Sequence, residues 1–278
     1  MTERFVKTRG VDICTESFGS PQNPAVLLIM GASVSMIWWE DDFCRRIADE
    51  GRFVIRYDNR DVGRSVTYTP GEPEYSFEDL ADDAMGVLDG YGIEKAHIVG
   101  MSMGGMLTQI LALRHRERVL SVTLISSSNF APGLPLMEEK VEQFFAHSGD
   151  VDWSDVQAIT AFSLGKWKIL RGSERAFDER KVALLSEKEA KRSLNPASMI
   201  NHALVSGGET YLLRTHEIDV PALIIHGTED PIIPYAHGVH LSEVIPNSKL
   251  VTLNGAGHEL HIDDWDVMIQ TLVDHTAL

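Results

Sequence analysis

A serine framed by glycines, Gly100-Met-Ser102-Met-Gly104-Gly105, sits where a strand-like run gives way to a helical one. Ala96-His-Ile-Val-Gly100 reads as the strand and Met103 to Arg114 as the helix, with small residues on its first turn. A turn that abrupt needs small flanking residues. It lifts the serine clear of a sheet and places it at a helix N-terminus, where the dipole favours an anion. Gly-x-Ser-x-Gly is a weak signal alone, because glycine and serine are common. With strand before and helix after, it reads as a nucleophile elbow, and the bland alternative is a glycine-rich turn with a capping serine.

The rest of the chain supplies a sheet for such an elbow. Arg4 to Thr8 and Asp12 to Phe18 suit two paired opening strands. Ala25-Val-Leu-Leu-Ile-Met30 is continuously apolar, as a strand covered on both faces must be. Glu40 to Glu50 follows as an amphipathic helix stopped by Gly51, and Phe53 to Tyr57 as the next strand. Ser76-Phe-Glu-Asp79 offers a capping box for a helix reaching Tyr91, and Val119 to Ser126 is a further strand. This regular alternation is the pattern of right-handed crossovers feeding a parallel sheet.

The pattern changes from Ser127 to Glu217. Met137 to His147, Trp153 to Leu164, Ser173 to Ser193 and Ala197 to Ser206 all carry helical periodicity. Strand and helix then resume with Ala222 to His226, Tyr235 to Val244, Lys249 to Leu253 and His261 to His275. The expectation is an α/β chain with an eight-stranded, mostly parallel sheet flanked by helices. Residues 1–126 and 218–278 form its core, and residues 127–217 form a helical cap inserted after the sixth strand. A long insert at that place lies above the strand ends, where open α/β sheets bind ligands.

Charge and cysteine content narrow the function. Lys and Arg number 25 against 41 Asp and Glu, giving −16. So negative a surface repels phosphate backbones and anionic lipid heads, which argues against nucleic acid and membrane partners. No run reaches the roughly 18 apolar residues of a membrane helix. The first residues lack the apolar stretch of a secretory signal, and Cys14 and Cys44 are too few for a disulfide framework. Both read as free thiols, and the setting as cytoplasmic. The acidic runs Glu40-Asp-Asp42 and Glu78 to Asp83 lack calcium-loop spacing, and no P-loop or dinucleotide fingerprint is present. No metal or cofactor is expected. The oligomeric state is left open, a homodimer included.

A serine hydroxyl needs a base to become a nucleophile, and the base is a histidine oriented by a carboxylate. Position selects among the 11 histidines. His258 lies in Asn254-Gly-Ala-Gly-His258, a glycine-rich loop just after the last strand, on the sheet edge where Ser102 is expected. His261 is the nearest competitor; His97, His237 and His240 fall inside regular elements. The acid belongs between serine and histidine in chain order. Asp230 fits, in Gly227-Thr-Glu-Asp230-Pro-Ile-Ile-Pro234, with Glu229 beside it. An oxyanion hole needs two donors. One is the backbone N–H of Met103; the other comes from Gly31, Ala32 or Ser33, with Ala32 preferred.

Together the elbow, the Gly-Thr-Glu-Asp-Pro-Ile-Ile-Pro segment and the Gly-Ala-Gly-His loop resemble the α/β-hydrolase superfamily of Ser–Asp–His serine hydrolases, over nearly all the chain outside the insert. Further runs are similar to its aclacinomycin methylesterase-like esterases: Ile55-Arg-Tyr-Asp-Asn-Arg-Asp-Val-Gly-Arg-Ser65, Lys166-Trp-Lys-Ile-Leu170 and His237-Gly-Val-His-Leu241. Two departures stand out. Met30-Gly-Ala32 replaces the usual His-Gly and puts alanine where glycine is usual, and Asp61 follows Arg60 where glycine is common.

The resemblance implies a catalytic Ser102, Asp230 and His258, an oxyanion hole from Ala32 and Met103, and a small-molecule ester as substrate, methyl esters included. Lactone hydrolysis, peracid formation and carbon–carbon bond hydrolysis use the same triad. A silent binding module on the same fold is the rival outside enzymes. Dehalogenase and epoxide hydrolase chemistry fits less well, since those enzymes carry aspartate at the elbow. Trp38, Trp39, Met137, Phe162 and Trp167 suit either pocket or core, because such residues at helical spacing serve both.

Overall fold

The most apolar run of the chain, Ala25–Ile29, forms strand β3, and every one of its residues is buried. The computed structural model describes residues 3–277. Around β3 lie β1 (Arg4–Thr8), β2 (Val11–Phe18), β4 (Phe53–Tyr57), β5 (Ala96–Met101), β6 (Val119–Ile125), β7 (Ala222–Gly227) and β8 (Ser248–Leu253). They make one sheet in the order β1-β2-β4-β3-β5-β6-β7-β8. The first two strands pair antiparallel with each other and β2 with β4; every other pairing is parallel. This is the expected eight-stranded, mostly parallel sheet.

Side chains alternate across the strands, so each strand feeds two cores. Leu27, Ile29, Ile55 and Ile98 pack toward helices α2 (Phe77–Gly90), α3 (Met103–Arg114) and α8 (Ala236–Val244). Val26, Leu28, Val54 and Val99 pack toward α1 (Asp41–Asp49) and α9 (Trp265–His275). Each such buried Leu, Ile or Val contributes about 1.5–3 kcal/mol relative to exposure. The Ser76 capping box forms: its hydroxyl accepts from the Asp79 N–H, and the Asp79 carboxylate accepts from the Ser76 N–H. Cys14 and Cys44 are free and buried, and burial pushes both thiols up to about 12.

Between β6 and β7 the chain runs through α4 (Glu139–Ala146), α5 (Val156–Leu170), α6 (Glu179–Arg192), a 3-10 stretch at Pro196–Ala203 and the short α7 (Glu209–Leu212). Several boundaries differ from the periodicity; α4 starts at Glu139 rather than Met137 and α5 at Val156 rather than Trp153. Helix α5 continues through Gly165 to Leu170, and the glycine there lets the Phe144 ring of α4 lie close, since a Cβ would stand 2.9 Å from it. Helix α6 starts at Glu179 rather than Ser173, with Asp178 capping the N–H of Lys181. Pro196–Ala203 winds as 3-10 helix, since the Ser198 hydroxyl bonds Asn195 and Asp61 carbonyls outside a helical ladder.

The insert is tied to the sheet by buried polar contacts. Arg192 of α6 lies 2.7 Å from the fully buried Asp58, just past β4. Asp58 also accepts from the N–H groups of Met36 and Arg64. Asp61, the departure from glycine, has φ of 66°, a left-handed conformation that aspartate tolerates better than most residues. Its carboxylate accepts from the Tyr68 N–H, the Tyr75 hydroxyl and the Asn201 amide, so the side chain links the loop after β4 to the insert.

Candidate active site

Strand order alone brings the elbow and the turn after β3 together. The chain leaves β3 for β4 on one side and later returns to β5 on the other, so the ends of β3 and β5 flank the switch point of the sheet. Ile29 pairs with Gly100 across these strands. Ser102 follows β5 with φ of 54° and ψ of −120°, a strained backbone for serine. Its N–H donates to the Ile125 carbonyl, and its carbonyl accepts from Gly105 and from the Ser127 hydroxyl. The flanking glycines are required by space: a Cβ at Gly100 would stand 2.1 Å from the Gly104 carbonyl oxygen, and one at Gly104 would stand 2.2 Å from that of Ile29.

The expected base and acid lie at the same sheet edge, beyond β8 and β7. His258 Nδ1 stands 2.7 Å from Asp230 Oδ2, and both residues are buried. Asp230 Oδ1 accepts from the N–H groups of Ile232 and Ile233, and Oδ2 also lies 3.5 Å from His226 Nε2. Burial by itself would raise the Asp230 carboxyl; the facing His258 and His226 more than offset it and hold the group well below the usual carboxylate range. The loop bearing His258 is pinned by its N–H, which donates to the Leu170 carbonyl of α5 at 2.7 Å.

The rival residues are occupied elsewhere. Glu229 is exposed and accepts from the Ser173 N–H and hydroxyl. His261 Nε2 bonds the Ala176 carbonyl, His97 the Ser121 hydroxyl, and His237 the Ser128 hydroxyl and the Pro135 carbonyl.

Ser102 and His258 line one cavity of about 460 Å³ together with Gly31 and Ala32. Among the described residues no hydrogen bond joins the Ser102 hydroxyl to His258, and His258 Nε2 has no other partner. Contacts of this kind often tighten only when substrate is bound. Of the three candidate donors after β3, Ser33 is committed: its N–H donates to His202 Nδ1 at 2.8 Å and its hydroxyl to the Met199 carbonyl. Gly31 lies against the serine, since a Cβ there would stand 3.1 Å from that of Ser102. Ala32 does not carry a positive φ, so alanine fits where glycine is usual. The Met103 N–H opens α3 and lacks an intrahelical acceptor, as first-turn groups do.

The remaining cavity walls come largely from the insert. Met137, Phe162 and Trp167 line it, and so do Trp153 and Met199, for which the sequence offered no role, and Lys166, which it marked only within a run shared with similar esterases. Trp39 is fully buried and stacks on Phe43, so it belongs to the core. Trp38 packs on Trp167 with centroids 4.4 Å apart and borders a smaller neighbouring cavity. Among the described residues no group of three or more His, Cys, Asp or Glu is arranged to hold a metal, and no helix is long and apolar enough to cross a membrane.

Such a site can polarise a carbonyl, present a hydroxyl to it and move a proton. Comparison with known proteins agrees with that chemistry. A family model described as alpha/beta hydrolase fold matches residues 24–264. The rhodomycin D methylesterase DauP of Streptomyces sp. is 29% identical over 296 residues, covering 99% of this chain and 98% of that protein. A putative carbamate hydrolase, RutD of Pseudomonas savastanoi pv. phaseolicola, is 29% identical over 266 residues, 90% of this chain and 93% of the relative. Among solved structures, the esterase EaEST from Exiguobacterium antarcticum superposes with a TM-score of 0.79 at 21% identity, covering 100% of both chains.

Proposed function

Because the chain belongs to the alpha/beta hydrolase fold family, we propose that it is a serine hydrolase cleaving carboxylic esters of small organic molecules, methyl esters among them. The reading rests on one observation above the others: the 2.7 Å bond between His258 and Asp230, with His258 facing the cavity that Ser102 also lines. The methylesterase name of a relative matched along its full length supports ester cleavage as the reaction.

In this mechanism the Ser102 hydroxyl attacks the ester carbonyl as His258 Nε2 takes its proton. Asp230 holds the Nδ1 proton, fixing the tautomer and stabilising the imidazolium. The N–H groups of Ala32 and Met103 donate to the oxyanion. His258 then protonates the leaving alcohol, and water repeats the sequence on the acyl-enzyme. Residues 1–126 and 218–278 act as the catalytic core, and residues 127–217 as the cap that shapes the pocket. Two free cysteines suit a reducing, cytoplasmic setting.

The test is a graded panel of p-nitrophenyl and methyl esters assayed beside Ser102→Ala. That variant is expected to fold normally and to lose on the order of 10⁴ to 10⁶ in kcat. Ester hydrolysis by Ser102→Ala at near the wild-type rate overturns the mechanism.

A further inference from the structure

Lys166 is the one residue of the cavity whose charge the proposed mechanism does not use and whose burial it does not explain. The residue lies on α5, retains 7% of its exposure, and lines the same cavity as Ser102 and His258. Its ammonium has no hydrogen-bond or ion-pair partner among the described residues. It lies 5.0 Å from the ring centroid of Trp167 and 6.0 Å from that of Trp38. The buried carboxylate of Glu189 acts on it as an opposite charge without bonding it, and is already engaged by the Ser35 N–H and the Trp38 indole. Aromatic faces attract a cation, yet they leave its three N–H donors without acceptors. Burying a charge without acceptors is costly, so a cavity that keeps one has a use for it.

The surrounding walls sharpen the chemistry. Phe145, Trp153, Phe162, Leu170 and Ile232 are apolar, so an oxygen anion entering beside Lys166 meets low dielectric and a single strong donor. The exposed Glu142 borders the same cavity and repels an anion from its own end, which leaves Lys166 as the place for one. We propose that Lys166 is a specificity residue that binds a carboxylate carried by the substrate in addition to the ester. The preferred substrates are thus half-esters of dicarboxylic acids or esters of comparably charged acids. The −16 formal charge of the chain opposes approach of anions at long range, but at contact the local cation decides. The inference rests on the esterase reading and adds the substrate class to it.

The experiment compares two p-nitrophenyl esters of one shape, the glutarate half-ester and the 5-methylhexanoate, whose branched end replaces the carboxylate. In the wild type, kcat/KM favours the half-ester. In Lys166→Met, which keeps the length of the side chain, the ratio between the two esters falls about tenfold or more, the loss of one charge-assisted bond. Lys166→Arg retains most of the ratio. A ratio unchanged by Lys166→Met overturns the proposal, and a purely structural lysine gives that result. Free glutarate separates this outcome from failure of the esterase reading. It is expected to raise the Tm of the wild type and not that of Lys166→Met, whether or not either ester is hydrolysed. Equal shifts in the two proteins, or none in either, also overturn it.

Discussion

The backbone N–H of Ser33 donates to Nδ1 of His202 at 2.8 Å, joining the turn after β3 to the insert. The other ring nitrogen, Nε2, lies 2.7 Å from the Arg60 carbonyl, so the proton sits on Nε2 and Nδ1 is the acceptor. His202 is buried and Ser33 holds φ of 60°. The bond thereby holds the peptide next to the Ala32 N–H, the proposed oxyanion donor, from a residue far away in sequence.

Removing that acceptor leaves a half-buried N–H without its partner, which costs about 1 kcal/mol. His202→Leu is expected to lower kcat about tenfold or more while KM changes little, because the misplaced donor acts on the transition state. His202→Gln, which keeps an acceptor, recovers part of the loss. Steady-state kinetics on a p-nitrophenyl ester provide the check. A raised KM with intact kcat would show that His202 shapes the pocket instead.

Stability is expected to depend on pH through buried neutral histidines. Burial, aided by the nearby His275 and Arg52, lowers His97 to about 4, and burial also lowers His202. An unfolded histidine takes up its proton near about 6.5. Between these values the unfolded chain binds more protons than the folded one, so stability rises with pH and is lost as pH falls from about 6.5 toward 4. Thermal unfolding of the wild type and His97→Gln across that range tests the sign. The Tm advantage of the wild type should shrink as pH falls; a constant difference contradicts the argument.

Asp58 and Arg192 form a pair whose two sides are not equivalent to lose. Asp58 is fully buried, and burial raises its carboxyl against the opposing charge of Arg192. Arg192→Met leaves that acid uncompensated and should cost about 3–5 kcal/mol. Asp58→Asn in the Arg192→Met background should recover part of it. Urea unfolding reads both; a single-variant loss below about 1 kcal/mol, the scale of a surface pair, contradicts the assignment.

The sheet was legible because its central strands are largely apolar and its elbow needs glycine on sterically closed ground at Gly100 and Gly104. His258 and Asp230 were legible for a related reason: each follows a strand end within a few residues, and strand ends meet at one edge. Asp230 was the preferred acid, but its neighbour Glu229 stayed a candidate, since only the turn decides which one points inward. The insert was least legible. Which face of α5 meets the cavity depends on its packing against α4 and α6, so the run Lys166 to Leu170 was visible as a motif but not as a cavity wall. Two lysines, Lys166 and Lys168, stand in the stretch Ala161 to Leu170, and the sequence does not show which of them turns inward. His202 acts through a contact with a turn 169 residues away, beyond the reach of periodicity.

The central claim is that Ser102 is activated by His258. The most direct measurement is peptide mapping by mass spectrometry after brief exposure to a fluorophosphonate, on the wild type and on His258→Ala. A single adduct on Ser102 that forms rapidly in the wild type and far more slowly in His258→Ala is the predicted result. Absence of an adduct on Ser102, or labelling at the same rate in both proteins, would contradict the account.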